Sequence, residues 1–266
     1  MPALRSLLCA LLFAGLLSAC QSDAPSNPGS ADADFPPADS VVARSIRAHG
    51  GDVLDHAEMT FRFRDARFRL LHDGGRFRYE RRYTDSLGRS VREVLSNDSL
   101  YRAVEGKRVA LSDEERADVE TAVNSVAYFA LLPQPLHDPA VQATYDARES
   151  IDGEDYHRLV VTFQQEGGGK DWQDRFVYWF DADTYTMDFL AYAYGFGSPD
   201  EEVGTRFREA YNVRPVQGVR VADYRNYAYD DLPPEQMPRY PDLWLQDSLR
   251  RVSTVDLDSV AVRPLR

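Results

Sequence analysis

The side chains able to do chemistry are few in kind and scattered along the chain. The five histidines, His49, His56, His72, His137 and His157, fall on a helix end, on loops and on a strand. None has a second histidine at helical spacing and no His-Glu-x-x-His occurs, so a zinc site of the helical type lacks its ligand pair. No Gly-x-Ser-x-Gly elbow presents a serine nucleophile. Gly167-Gly168-Gly169-Lys170 suggests a phosphate loop, but the leading glycine, the Ser or Thr after the lysine and the following helix are missing. It reads as a connection between strands. Asp and Glu total 43, so a carboxylate pair for acid–base work can be drawn in many places and none is preferred. The expectation is therefore a protein that is not an enzyme, with no cofactor, no metal and no catalytic residue. A hydrolase with an unrecognised site is the third-ranked alternative. The two cysteines differ in setting: Cys9 lies inside an apolar run, and Cys20 follows that run behind two small residues.

Arg5, the apolar run Leu7–Leu17 and Ser18-Ala19 have the order of a secretory signal, whose apolar region is roughly 7–15 residues long. Crossing a bilayer takes about 20 apolar residues, more than this run supplies. Leu17-Ser18-Ala19-Cys20 resembles the lipobox of bacterial lipoproteins. That resemblance implies cleavage of residues 1–19, diacylation of the Cys20 thiol and acylation of the new amine. An ordinary signal peptide that happens to contain Cys20 is the competing reading. With Cys9 removed and Cys20 lipidated, the mature chain has no disulfide and no cysteine metal site, although it is exported to a compartment where disulfides persist. Gln21 stands where an inner-membrane retention signal would put aspartate. By analogy this favours an outer-membrane lipoprotein facing the periplasm.

The formal net charge is -12, from 31 Lys and Arg against 43 Asp and Glu. An acidic surface repels phosphate backbones, which argues against nucleic acid as a partner. It argues equally against a polybasic grip on anionic lipid, so the membrane partner is expected to be reached through the N-terminal acyl chains.

Several elements must position whatever the chain binds. Residues 20–37 are rich in Pro, Ser, Ala and Asp, as in a flexible lipidated tether. A helix is expected from about Asp39, with Val42 and Ile46 on its apolar stripe and Gly50-Gly51 as its stop. His49, in its last turn, is read as meeting the helix dipole. From Ala57 the period becomes two: Met59, Phe61, Phe63, Phe68, Leu70, Phe77 and Tyr79 alternate with arginines, which are expected to be solvated and paired with carboxylates. Ser112 and Glu115 form a capping box for one long helix, Asp113–Leu132, with Val119, Val123 and Val126 inward. Strands return at about Val141–Ile151, Tyr156–Gln165, Trp172–Asp181, Thr186–Tyr194, Thr205–Val213 and Val219–Tyr229. Two of these are apolar on both faces. Their residues Phe176, Tyr178, Trp179, Phe180, Leu190, Tyr192 and Tyr194 are the candidate ligand-lining set. Residues 230–266 read as a Pro-rich C-terminal extension that frays at its end.

Together, Ala48-His49-Gly50-Gly51, the helix running into Pro133-Gln134-Pro135-Leu136-His137-Asp138-Pro139, the strand Arg175–Phe180 followed by Asp181-Ala182-Asp183-Thr184-Tyr185-Thr186-Met187, and Val216-Gln217-Gly218-Val219 carry a resemblance. The sequence resembles a family of uncharacterised exported bacterial lipoproteins, a domain of unknown function, seen beside LolA/LolB/LppX-type carriers. The resemblance implies a mainly β (α+β) fold: a curved antiparallel sheet, or unclosed β-barrel, of about eleven strands with helices over the concave face. It places one LolA-like domain at 38–229, with no catalytic residues carried over. It implies that the hollow binds an apolar or amphiphilic ligand such as a lipid or acyl chain. A structural or assembly lipoprotein that recruits a protein partner is the alternative.

Overall fold

The computed structural model describes residues 35–169, 172–196 and 203–265. Cys20, segment 1–19 and nearly all of the 20–37 tether lie outside them. The first element follows Pro36-Pro37. Helix α1 (Ala38–Ala48) takes Pro37 as its N-cap and carries Asp39 in its first turn and Arg47 in its last, both favourable to the helix dipole. Val41, Val42 and Ser45 form its buried face. Gly50, left-handed at φ 83°, turns the chain into the short α2 (Gly51–Leu54).

Six strands then run up and down as a meander: β1 (His56–Phe63), β2 (Ala66–Asp73), β3 (Arg76–Thr84), β4 (Ser90–Ser96), β5 (Ser99–Val104) and β6 (Lys107–Val109). The period of two sends Met59, Phe61, Phe68, Leu70 and Tyr79 to the inner face. Helix α3 (Asp113–Leu131) follows, its start fixed by the capping box: Ser112 Oγ accepts from the Glu115 amide at 3.2 Å, and Glu115 Oε2 accepts from the Ser112 amide at 2.9 Å. Val119, Val123, Ala127 and Leu131 lie at helical spacing and are buried in the same cluster as β1–β3. Val126, expected inward, is half-buried.

After a 3-10 turn at Gln134–His137 the second meander comprises β7 (Val141–Ile151), β8 (Glu154–Phe163), β9 (Arg175–Asp181), β10 (Met187–Tyr194), β11 (Gly204–Val216) and β12 (Val219–Ala228). Two-residue turns such as Asp152-Gly153 and Gln217-Gly218, positive in φ at both positions, match the twist of the strands they join. A 3-10 turn at Pro234–Arg239, α4 (Tyr240–Leu245), β13 (Arg250–Val255) and β14 (Asp258–Pro264) complete the described chain.

The fold is mostly β, with fourteen strands among the described residues in two seven-stranded antiparallel sheets and no closed barrel. One sheet has the order β14-β1-β2-β3-β4-β5-β6 and the other β13-β12-β11-β10-β9-β8-β7. The expectation of about eleven strands fell short at the C-terminus. Residues 250–264 do not fray: β13 adds to β12, and β14 returns to pair with β1. The crossing between them is held by Asp223, whose Oδ1 accepts from the Leu257 amide at 2.9 Å, while Arg214 donates to the Leu257 carbonyl at 2.6 Å. At the opposite edges, α3 and its 3-10 turn bridge β6 to β7.

Residues Pro36–Arg266 form one compact unit that holds every described element and all the buried clusters. This unit supplies its own core and is expected to fold without residues 1–35. None of its described helices is long and apolar enough to cross a membrane.

Both faces of the second sheet are covered. The inner face, with Leu159, Val161, Phe176, Tyr178, Phe180 and Leu190, packs under α1 and the 3-10 turn after α3. The outer face, with Val177, Trp179, Phe189, Ala191 and Phe207, lies under Met237, Tyr240 and Leu243 of the C-terminal helical segment. This second layer is why β9 and β10 are apolar on both sides. On the first sheet, Arg62, Arg67, Arg82 and Arg92 stand directly opposite one another on β1–β4. Carboxylates meet only part of this outer face. Glu80 accepts from Arg78 and Arg82, both at 2.8 Å, whereas Arg62 and Arg67 form no ion pair among the described residues.

Candidate functional site

A cavity of about 380 Å³ lies where α3 passes over the seam between the sheets. Its apolar wall combines Phe63 from β1, Val126, Phe129 and Ala130 from α3, Leu132, Tyr192 from β10, and Val221, Ala222 and Tyr224 from β12. Two further hollows flank the same helix. One of about 440 Å³ shares Phe63, Arg64, Ser125 and Val126 with the first. The other, of about 290 Å³, shares Ser125, Phe129 and Tyr192. All three meet at Ser125, so α3 lies along a partly filled trough.

The trough exists because of what α3 carries. Val119, Val123, Ala127 and Leu131 sit down on the first sheet. One turn around, the larger Phe129 is held off the second sheet by the rings beneath it. Phe129 lies 5.2 Å from Tyr192 and 6.3 Å from Phe176, centroid to centroid. The Tyr128 hydroxyl meets the Tyr178 hydroxyl at 3.0 Å, and burial pushes both phenols above their ordinary range. The Tyr224 hydroxyl, in the cavity wall, is pushed up to about 12 by burial.

The polar groups in the wall are mostly committed to structure. His49 is buried at the C-terminus of α1. Its Nδ1 donates to the Ser45 carbonyl at 2.8 Å, and its Nε2 accepts from the Met187 amide at 3.3 Å. Burial above all, and then the neighbouring Arg220, lowers its pKa to about 4. The imidazole is therefore neutral at neutral pH. The dipole reading of His49 is corrected in its cause: it clamps α1 to β10 by hydrogen bonds, not as a cation. Arg220 pairs with Asp188 at 2.6 Å and donates to the Met187 carbonyl at 3.3 Å. Burial holds the Asp188 carboxyl above its usual range even against this arginine. Arg208 is different. It is buried at 8 % exposure, its guanidinium lies 3.8 Å from the Phe129 ring, and it forms no ion pair among the described residues.

Of the seven candidate lining residues, Tyr192 borders the main cavity, and Phe176, Tyr192 and Tyr194 border the 290 Å³ hollow. Tyr178, Phe180 and Leu190 face the same way but are buried in the core. Trp179 points to the opposite face, fully buried beneath the C-terminal segment, and donates to Glu149 Oε1. Sequence reasoning missed the walls supplied by β12, β13 and α3. Arg208 carried no local signal, since Arg206 shares its strand face and Glu209 follows it. Among the described residues no group of three or more His, Cys, Asp or Glu could hold a metal ion. The trough can exclude water from an apolar chain, and among the described residues it presents one buried positive charge without an ion pair, Arg208, beside the exposed Arg64.

A family model matches residues 30–252, most of the chain. The chain belongs to the DUF6503 family, a family of unknown function. The match extends past the 38–229 span read from the sequence and takes in the C-terminal helical segment. No curated protein matches the DUF6503 chain by sequence. Among solved structures it is similar to a LolA superfamily protein from Nitrosomonas europaea, at 14% identity and a TM-score of 0.47, over 87% of this chain and 96% of the other. It is similar to a DUF1329 family protein from Desulfovibrio piger, at 12% identity and a TM-score of 0.46, over 85% and 93% of the two chains. With the lipoprotein LppX from Mycobacterium tuberculosis the figures are 13% identity and a TM-score of 0.27, over 59% and 89%.

Proposed function

We propose that this DUF6503 protein is a non-enzymatic, membrane-anchored lipoprotein that binds the apolar chain of a lipid or other amphiphile in the trough beneath α3. The 380 Å³ cavity carries this reading. Its size falls within the roughly 300–1,000 Å³ of small-ligand pockets, and its wall is mainly aliphatic and aromatic with a few polar groups, as such pockets are built. The remaining polar groups favour binding over catalysis. His49 is locked between two backbone groups and Arg220 is ion-paired, so neither is poised to move a proton.

Cys20 supports the anchoring part of the reading, with acyl chains tethering the domain to a bacterial envelope membrane. Gln21 favours the outer membrane, facing the periplasm. Cys20→Ala is expected to abolish acylation and to release the protein from membranes. Continued association after salt and carbonate extraction would place the anchor elsewhere.

Titrating a chain that begins at Pro36 with a fluorescent long-chain fatty acid tests the binding reading. Saturable binding is expected. Ala130→Phe, which adds bulk to the cavity wall, should weaken that binding while the melting temperature holds. A stable wild-type domain that binds no acyl ligand would remove the support for a carrier.

A further inference from the structure

Arg208 and Asn226 are register partners on β11 and β12, and both face the cavity. Arg208 donates Nη2 to the Tyr192 hydroxyl at 3.2 Å, and its guanidinium lies over the Phe129 and Tyr192 rings at 3.8 and 5.1 Å. Its Nε is buried without an acceptor. Asn226, 9 % exposed, donates Nδ2 to Ser253 Oγ at 3.2 Å, which leaves its Oδ1 buried without a donor. An orphaned donor and an orphaned acceptor thus stand side by side in one cavity wall. Folded proteins leave few buried polar atoms unsatisfied, and a desolvated charge without a counter-charge is costlier still. The aromatic faces offset part of that cost by cation–π attraction, but they supply no anion. Of the other arginines in this wall, Arg220 has Asp188 as its counter-ion and Arg64 is exposed to solvent, so Arg208 is the one guanidinium there that is both buried and without an ion pair among the described residues.

The cross-strand row from β8 to β13 runs Leu159, Tyr178, Leu190, Arg208, Asn226, Ser253. It changes from apolar to polar at Arg208. Resting on the trough as an acyl site, we propose that Arg208 and Asn226 hold the head of an anionic amphiphile. The head's oxyanion lies on the guanidinium, and a hydroxyl or ordered water donates to Asn226 Oδ1. Arginine's planar fork suits carboxylate and phosphate alike. A free fatty acid and a phosphate-headed lipid share this chemistry, and the tail lies against Phe63, Val126 and Phe129.

Three ligands with one tail separate head from chain: hexadecanol, palmitate and hexadecyl phosphate. Each is titrated below its solubility or micelle limit into the protein that begins at Pro36. Wild type is expected to bind the two anions about tenfold or more tighter than the alcohol, the scale of a charge-assisted hydrogen bond. Whichever anion binds tighter identifies the source. Arg208→Met should bring the three affinities together by weakening the two anions far more than hexadecanol. Arg208→Lys should keep part of the anion preference. Since Arg208→Met removes an uncompensated buried charge, its ligand-free melting temperature should equal or exceed that of wild type, which certifies its fold. An alcohol that binds wild type as tightly as the anions, or an anion preference that survives in Arg208→Met, overturns the assignment and leaves the acyl site standing. Failure of all three ligands to bind wild type overturns both.

Discussion

Acid should destabilise this domain through His49. The imidazole, 3 % exposed, is hydrogen-bonded through both nitrogens, and its pKa is lowered from 6.5 to about 4, first by burial. Below pH 6.5 the unfolded chain binds a proton at this position that the folded chain refuses until about pH 4. Stability is therefore fully present above pH 6.5, falls as pH drops through this window, and levels off below about pH 4. With these two values the loss from His49 alone is about 2 kcal/mol at pH 5 and about 3 kcal/mol once both states are protonated. His72 and His157 are lowered by burial as well and add to the same slope. Asp188, held above its usual range by burial, acts in the opposite sense. These contributions are shared with a variant at position 49 and cancel in the comparison. His49→Gln keeps a donor for the Ser45 carbonyl and an acceptor for the Met187 amide, and it cannot charge. Urea unfolding of both proteins between pH 7.5 and 4.5 should show the variant less stable at neutral pH. The gap should narrow by about 2 kcal/mol toward pH 5. Parallel curves would show that the ring is not buried as a neutral base and that α1 is not clamped through it.

Three further outcomes check the packing. Val123→Asp replaces a fully buried side chain under α3; it forfeits about 1.5–3 kcal/mol of apolar burial and adds an unpaired charge. No cooperative melting is expected at pH 7, and an unchanged melting temperature would mean that α3 is not seated on the first sheet. Gly50→Ala should cost at least about 1–2 kcal/mol from the left-handed backbone alone. Its Cβ would also fall 2.2 Å from the Gly218 carbonyl oxygen, so a thermal shift near zero would contradict the contact between the α1–α2 turn and the β11–β12 turn. Arg67→Glu sets a carboxylate between Arg62 and Arg82 and should stabilise the domain by about 0.5 kcal/mol, an effect that salt erases. Destabilisation at low salt would show that the arginine row does not repel.

The early hairpins and α3 were legible because their patterns are local. Alternation from Met59 to Tyr79 needs one buried face, and the Ser112–Glu115 capping box marks its own helix start. The two-faced strands β9 and β10 were legible as doubly covered, but not by what. The cover is Met237, Tyr240 and Leu243, more than forty residues on in a Pro-rich stretch, and such a long-range contact leaves no periodic trace. This misplaced Trp179, since alternation separates two faces without saying which is hollow. The last two strands escaped notice because they are mostly exposed edges rich in arginine and valine, with little apolar contrast. The cavity wall at Arg208, Asn226 and Ser253 depends on the register of three strands, which no single segment encodes.

Photo-crosslinking tests the central claim, that the trough beneath α3 is the ligand site. A fatty acid bearing a diazirine on its chain is bound to the protein that begins at Pro36, irradiated, and its adducts are mapped by peptide mass spectrometry. The structure leads us to expect adducts on the α3 segment from Ser125 to Leu132 and on the β12 segment from Val221 to Asn226, with labelling lost when unlabelled palmitate competes. Adducts confined to the outer faces of the sheets, or labelling that palmitate does not displace, would contradict it.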